Sequence, residues 1–286
     1  MTTDLAFPPG LILVLGAVLI PFATERQRLL LLLGLPLLTL AAVWWLPDGS
    51  LLQLGFLDYT LEPVKSTAEG RLFATVFSIM ALAGGLYAHR QASTLELTAA
   101  FIYAGSAVGV TFAGDLLTLF VFWELMAFGS TVVIWSAGSV GAQRAGLRYL
   151  LVHLLGGVIL MVGIVAQVAA TGSLAFTAMT PDSLATALIL IGFLVNAGAP
   201  PLSAWIADAY PEATPSGTVF LSAFTTKTAV FALLVGFPGA EILVPIGLYM
   251  VFYGIIYALL ENDMRRILAY SIVNQVGFMV AAIGIG

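Results

Sequence analysis

Leu116–Trp135 reads LLTLFVFWELMAFGSTVVIW, and Glu124 is its only charged residue. A run of this length and polarity predicts a helix that crosses the bilayer. A carboxylate near the middle of such a helix costs roughly 2.5 kcal/mol or more to insert, so it is expected to face protein or internal water. Glu124 is therefore a candidate residue for binding or relaying a cation. The structural alternative is a protonated side chain that only hydrogen bonds to a neighbouring helix.

The composition is that of a polytopic membrane protein. Hydrophobic residues make up 60% of the chain and charged residues 9%, with a mean hydropathy of +1.06, whereas soluble domains are about 25% charged. The chain has no cysteine, which excludes disulfides, thiolate metal sites and iron–sulfur ligation. A net charge of −5 gives no basic patch for nucleic acid. We expect no cofactor, and no enzyme activity of the chain itself, because no nucleophile–base pair, metal-ligand cluster or phosphate-binding loop is recognisable.

Ten apolar segments predict ten transmembrane helices in a single membrane domain. They lie near 10–23, 29–46, 71–88, 95–113, 116–136, 146–170, 184–199, 216–236, 241–260 and 266–285. The longest polar connection, Pro47–Gly70, contains LLQLGFLDYTLEP, whose alternation indicates a short extended hairpin. An irregular loop is the alternative. The other connections are short, so neighbouring helices are expected to be antiparallel.

Basic residues predict the orientation of these helices. Seven of them fall in connections on one side of the membrane, and two, Lys65 and Arg71, fall on the other. The seven are Arg26, Arg28, Arg90, Arg144, Arg148, Arg265 and Arg266. By the positive-inside rule their side is cytoplasmic. We therefore predict a multi-pass protein of the cell (inner) membrane with both termini on the external side.

Two further features lie at membrane depth. Lys227 is in the middle of the segment SGTVFLSAFTTKTAVFALLVG, where a charged group indicates an ion path unless the side chain snorkels to an interface. The segment before it contains Asn196, Gly198, Pro200 and Pro201. Two consecutive prolines remove two backbone donors, so the helix should break there and leave carbonyl groups without partners. Such carbonyl groups are tolerated in a bilayer only if they face protein or a water-filled cavity. The alternative is a proline kink whose free carbonyl groups accept hydrogen bonds from neighbouring Ser or Thr hydroxyl groups.

Three other residues are weaker candidates. His153 lies in the sixth predicted helix, where an imidazole suits either proton relay or packing. Arg144 and Arg148 are four residues apart and share a helix face at the predicted cytoplasmic entrance. Solvated arginines or arginines bound to lipid headgroups are the simpler interpretation of that pair.

Three stretches carry a resemblance to a known family. They are GDLLTLFVFWELMAF (Gly114–Phe128), PPLSAWIADAYPEATPSGTVFLSAFTTKTAVF (Pro200–Phe231) and ENDMRRILAYSIVNQVGFM (Glu261–Met279). In this order they resemble the antiporter-like membrane subunits shared by multisubunit Na⁺/H⁺ antiporters and respiratory complex I, and the D-type subunits of the antiporters most of all. The similarity runs from about Leu95 to the C-terminus.

The resemblance implies roles for individual residues. Glu124 matches the glutamate of the fifth helix and Lys227 the lysine of the eighth, the acidic and basic members of the family's proton path. His153 occupies a polar position of the sixth helix that varies in type. Asn196 stands where many members have the lysine of the broken seventh helix, so this chain departs from the family pattern at a residue on which charge coupling depends.

The resemblance also implies an all-α fold of fourteen helices with two inverted five-helix repeats. This chain corresponds to the N-terminal part of that fold. Residues 1–94 would form N-terminal helices and an external hairpin, 95–236 one complete repeat, and 237–286 the start of a second, incomplete repeat. We expect the chain to be a fragment or a truncated gene product unless a second polypeptide completes it.

The function expected from this reasoning is proton translocation in a multisubunit Na⁺/H⁺ antiporter. Protons would pass from the cytoplasmic side to Glu124, along water near Asn196 and His153, and on to Lys227. The expected partners are other membrane subunits, the lipid bilayer, H⁺, and Na⁺ or K⁺. Two alternatives stay open: a proton-pumping subunit of a redox-driven assembly resembling complex I or a hydrogenase, and a structural scaffold whose path is inactive.

Overall fold

The computed structural model describes residues 6–286, most of which are helical. The twelve α-helices of this part of the chain are α1 (Pro9–Ala17), α2 (Glu25–Trp45), α3 (Ala68–Ala88), α4 (Thr94–Phe112), α5 (Leu116–Trp135), α6 (Val140–Thr171), α7 (Leu184–Ala197), α8 (Ala204–Ala209), α9 (Pro215–Ala223), α10 (Thr225–Gly236), α11 (Leu243–Leu260) and α12 (Met264–Ile285). Ile20–Phe22 and Tyr210–Glu212 form short 3₁₀ turns.

Eight helical segments of the described chain are long and apolar enough to cross a membrane. Seven are single helices, α2 to α6, α11 and α12, and the eighth is formed by α9 and α10 together, Pro215–Gly236. Two shorter apolar helices, Pro9–Phe22 and Leu184–Ala197, coincide with the first and seventh predicted spans. All ten predicted spans are therefore helical, and the prediction of an all-α polytopic membrane protein is confirmed.

The long connection between α2 and α3 forms the predicted hairpin. Strand β1 (Gly49–Phe56) pairs antiparallel with β2 (Tyr59–Ser66). The hairpin is tied to the start of α5, because the backbone N–H of Glu62 donates to Asp115 Oδ2 at 2.8 Å and the Glu62 carbonyl accepts from Gly114 N at 2.9 Å. Asp115 also caps α5 through the backbone N–H of Thr118 at 2.7 Å. One carboxylate thus joins the hairpin to the helix that carries Glu124.

Helix α4 lies at the centre of the bundle. In its most apolar stretch 83% of residues are buried, against 22% for α11. It packs against α1, α3 and α5. Gly10 of α1 and Gly105 of α4 face each other so closely that a Cβ atom on either would clash with the other helix's backbone, the close approach that small residues permit between membrane helices.

Two helices are interrupted at membrane depth. Helix α7 ends at Ala197 because Gly198 adopts a left-handed conformation with φ +78°, and Pro200 and Pro201 lie in the non-helical segment before α8. This is the predicted break. The second interruption is at Phe224, with φ −110° and ψ −67°, between α9 and α10. The span predicted near 216–236 is therefore made of two helices, α9 and α10, that meet at this residue.

Candidate functional site

Glu124 lies midway along α5 with its carboxyl group turned to α6. Its Oε1 atom is buried and has no hydrogen-bond partner in residues 6–286. A Cβ atom on Gly157 would overlap that oxygen, so the carboxyl group rests directly on the α6 backbone. Within the described chain Glu124 forms no ion pair. The glycine therefore creates the space that the carboxyl group occupies.

Asn196 lies beside the neighbouring α6 residue, Gly156. It is fully buried in the last turn of α7, and neither Oδ1 nor Nδ2 has a partner in the part of the chain that the structure describes. A Cβ atom on Gly156 would be 3.6 Å from Asn196 Oδ1. Consecutive glycines of α6 thus face Glu124 and Asn196, and both polar groups converge on this one turn.

His153 lies on α6 one turn before the glycine pair and is 1% exposed. Its Nδ1 is 2.8 Å from the Tyr149 carbonyl, and since a carbonyl oxygen only accepts, Nδ1 carries a hydrogen. In the neutral imidazole Nε2 is then an acceptor. Nε2 has no partner within residues 6–286. The imidazole stacks on the Tyr149 ring at 3.9 Å and meets the Trp205 ring edge-on at 4.6 Å.

The break after α7 is held by Trp205 of α8. Its Nε1–H donates to the Val195 carbonyl at 3.0 Å, which also accepts from Gly198 N at 3.1 Å. A carbonyl at the end of an interrupted helix needs such partners in a membrane. Trp205, whose ring also contacts His153, therefore stabilises the end of α7.

Lys227 lies in the first turn of α10 and forms no hydrogen bond or ion pair with these residues in the described chain. Its Nζ donates to the Ser222 carbonyl at 2.9 Å across the Phe224 interruption, and no carboxylate of the described residues pairs with it. The side chain lines a cavity of about 530 Å³ between the segment preceding α9, α9 itself and α12. The polar side chains around it are Tyr210, Thr218, Ser222, Arg265, Ser271 and Gln275.

A buried hydroxyl network beside Lys227 was not anticipated. Tyr103 of α4 is 2.6 Å, oxygen to oxygen, from Thr225 Oγ1, and its hydroxyl accepts from Thr225 N at 2.9 Å. Tyr149 of α6 reaches Thr225 Oγ1 at 3.2 Å and donates to Ser130 Oγ at 2.9 Å. Tyrosines and threonines in apolar helices have no periodic or charge signal, so nothing in the sequence singles them out.

Glu96 is a second residue that sequence reasoning missed. It is 1% exposed and accepts hydrogen bonds from Thr214 Oγ1 at 2.8 Å, from Ser216 Oγ at 2.5 Å and from Ser136 Oγ at 3.3 Å. The carboxylate thereby joins the start of α4, the end of α5 and the start of α9. In the sequence an acid in the first turn of a helix looks like an ordinary dipole partner, which is why it did not stand out.

The two arginines of α6 differ in their surroundings. Arg148 forms a bidentate pair with Asp208 of α8, at 2.6 Å from Nε to Oδ2 and 2.8 Å from Nη2 to Oδ1. Its side chain is 56% exposed, so it is both paired and solvated. Arg144 is exposed. The structure does not place either arginine in contact with Glu124.

This region holds several buried polar groups whose hydrogen-bonding capacity is not used by protein partners in residues 6–286. Buried polar atoms are almost always bonded to protein or to internal water, and Glu124, His153 and Asn196 have such atoms without protein partners in residues 6–286. Thr226 and Thr228, either side of Lys227, have unpartnered buried hydroxyls in the same part of the chain. Water bound to such groups is able to pass protons from one to the next. In the described residues no His, Asp and Glu cluster is arranged to hold a metal ion.

Residues 113–286 match the family model described as NADH:quinone oxidoreductase/Mrp antiporter, TM. Among curated proteins, the D-type subunit of the Na⁺/H⁺ antiporter of Alkalihalophilus pseudofirmus is 28% identical over 65% of this chain and 41% of its own length. Hydrogenase-4 component B of Escherichia coli is 27% identical over 64% of this chain and 30% of its own length.

Among solved structures, a chain of the Mrp complex from Dietzia sp. DQ12-45-1b superimposes with a TM-score of 0.82 at 25% identity. The match covers 99% of this chain and 59% of that one. The chain therefore spans less than two thirds of the length of each of these three relatives.

Proposed function

Because this chain belongs to the family of NADH:quinone oxidoreductase and Mrp antiporter membrane subunits, we propose that it translocates protons as a subunit of a multisubunit cation/proton antiporter. The observation that carries the proposal is the Glu124 carboxyl group, which lies at membrane depth against Gly157 with its Oε1 unpartnered in residues 6–286. Intramembrane ionisable groups generally mark ion and proton pathways. The similarity to a D-type subunit of an Na⁺/H⁺ antiporter supports the choice of antiport.

The proposed path runs from Glu124 past Asn196 and His153 to Lys227. Its first part is supported by the convergence of Glu124 and Asn196 on Gly156 and Gly157. Its last part is supported by the position of Lys227 on a cavity lined with hydroxyl and amide side chains. Glu124 and Lys227 exchange protons with the water between them, while Asn196 and His153 Nε2 orient that water by hydrogen bonds.

Asn196 gives this path a feature of its own. An amide donates and accepts hydrogen bonds but does not ionise, whereas many relatives are expected to have a lysine at this position. The position of the broken helix at which many relatives are expected to be charged is then neutral. We propose that the chain moves protons between Glu124 and Lys227 without a lysine at the α7 break.

We propose that the connections bearing Arg26, Arg90 and Arg144 face the cytoplasm. The positive-inside rule supports this orientation. It places the β-hairpin and the α6–α7 connection outside and makes the Arg148–Asp208 end of the molecule cytoplasmic. Protons would then enter the path from the end where α6 and α8 are joined by that ion pair.

The test is cation-dependent dissipation of ΔpH in everted vesicles, with the chain assembled among its partner subunits. Glu124→Gln keeps the size of the side chain and removes its charge, so we expect transport to be abolished and assembly to be unchanged. Glu241→Gln, at an exposed position before α11, is the matched control and should transport normally. Normal transport by Glu124→Gln would remove Glu124 from the mechanism.

A second candidate function is a proton-pumping subunit of a redox-driven complex, favoured by the similarity to hydrogenase-4 component B. In that case the same path would be driven by electron transfer in partner proteins. An assembled complex without any Na⁺- or K⁺-dependent signal, but with proton transport on addition of an electron donor, would support this function. Unchanged transport after neutralising both Glu124 and Lys227 would instead support a scaffold.

A further inference from the structure

The interruption at Phe224 has no local cause in the sequence. Residues 221–228 read LSAFTTKT, without glycine or proline, the usual residues at sharp helix distortions. In a regular helix the Leu221 carbonyl would accept from Thr225 N. Something outside the segment must therefore replace that bond.

The replacement is the hydroxyl group of Tyr103. It accepts from Thr225 N at 2.9 Å and lies 3.4 Å from the Leu221 carbonyl, so it is inserted between the two backbone groups that would otherwise bond to each other. Its ring packs edge-on against Phe224 at 5.1 Å. A side chain inserted into the helical hydrogen-bond ladder is an established cause of a kink.

The interruption has a direct consequence for Lys227. The next carbonyl, that of Ser222, would accept from Thr226 N in a regular helix. In this structure it accepts from Lys227 Nζ at 2.9 Å instead. The lysine is therefore held at the rim of the cavity by a carbonyl group that the Phe224 interruption makes accessible.

We propose that Tyr103 is a positioning residue for Lys227. Its hydroxyl group holds α9 and α10 apart at Phe224, and this separation keeps the Ser222 carbonyl available as the acceptor for the lysine. Without the hydroxyl group, Leu221 and Thr225 would form their helical bond and Ser222 would pair with Thr226. The relevance of Tyr103 to transport rests on the proposed function, whereas its effect on the position of Lys227 does not.

Amine labelling tests the proposal without reference to transport. The chain has two lysines, Lys65 and Lys227, so Lys65→Arg leaves Lys227 as its single lysine. The assembled complex is treated with a small water-soluble acylating reagent, and modification of Lys227 is followed by mass spectrometry of its peptide. In Tyr103→Phe we expect labelling to be faster by roughly three- to tenfold, the factor that the loss of one hydrogen bond gives.

Tyr149→Phe is the matched control. It also removes one buried tyrosine hydroxyl that bonds to Thr225. That hydroxyl contacts Thr225 at the side-chain Oγ1 and not at the backbone N–H. Labelling of Lys227 should stay at the parental rate. The pH dependence of transport should likewise change in Tyr103→Phe.

Two results would overturn the proposal: parental labelling in a folded Tyr103→Phe complex, or equally fast labelling in both tyrosine variants. If Tyr103→Phe does not assemble, an experimental density map of the unsubstituted complex decides. A direct bond between Thr225 N and the Leu221 carbonyl in that map would contradict the assignment, and an inserted Tyr103 hydroxyl would support it.

Discussion

Single atoms determine the environment of the two ionisable groups. Gly157 has no Cβ atom, and Glu124 Oε1 lies in the space that such an atom would fill. Lys227 is held by one carbonyl, that of Ser222. Both arrangements depend on neighbouring residues that carry no charge, so the charged residues alone do not describe the site.

Gly157→Ala should displace the Glu124 carboxyl group. The added methyl group would overlap Oε1, and overpacking of this kind typically costs about 1–3 kcal/mol. We expect transport in the everted-vesicle assay to fall strongly and thermal stability of the purified complex to fall moderately.

Gly34→Ala is the control for that substitution. A Cβ atom at Gly34 of α2 would have no contact within 4 Å, so transport and stability should be retained or slightly raised, since alanine favours the helix. Equal transport in the two alanine variants would show that the contact between Gly157 and Glu124 is unimportant.

The two charged members of the site could be identified from the sequence, but their surroundings could not. Glu124 and Lys227 stand out because a charge in an apolar run is costly and therefore conspicuous. Tyr103, Thr225 and Glu96 do not, since their importance arises from contacts between residues up to 122 positions apart. The transport roles of the charged residues remain predictions.

The two interruptions in the helices have different origins. The break after α7 is encoded locally by Gly198, Pro200 and Pro201, and it could be predicted because these residues restrict the backbone of their own segment. The break at Phe224 depends on a hydroxyl group from α4. Local sequence reasoning fails there because a tertiary contact overrides a segment that is otherwise able to form a continuous helix.

Trp205→Phe should loosen the end of α7. It removes the hydrogen bond from Nε1 to the Val195 carbonyl, worth about 1 kcal/mol. Trp123→Phe is the matched variant, because Trp123 is also buried but its Nε1 has no partner in residues 6–286.

Thermal unfolding of the two purified variants measures the difference. Both lose apolar contacts, and we expect Trp205→Phe to be less stable than Trp123→Phe by about 1 kcal/mol, the contribution of the hydrogen bond. Equal stability would mean that Gly198 N alone satisfies the Val195 carbonyl.

Apolar runs of sufficient length correctly predicted an all-α membrane protein, and each predicted span is helical in the described residues. The family resemblance, expected from Leu95 onward, is confirmed for residues 113–286. The division of the chain into repeats stays a prediction, because segment length and polarity do not show how helices are related by symmetry. Orientation is likewise a prediction, since the positive-inside rule is a statistical preference.

Single cysteines test the orientation, and the chain contains no cysteine of its own. Gln91→Cys lies in an exposed position between α3 and α4, and Thr177→Cys lies in an exposed position between α6 and α7. With both termini outside, an impermeant maleimide should label Thr177→Cys in intact cells and Gln91→Cys only in everted vesicles. The reverse pattern would invert the proposed topology.

The insertion of Tyr103 into the α9–α10 segment also bears on how the protein is made. During synthesis, residues 215–236 can leave the translocon as one ordinary apolar helix in which the backbone groups around Phe224 are paired. The interruption arises only when α4 packs against it, since unpaired carbonyl groups facing lipid would be too costly beforehand. We therefore expect membrane insertion and the creation of the lysine site to be separate events, with the second following the packing of α4.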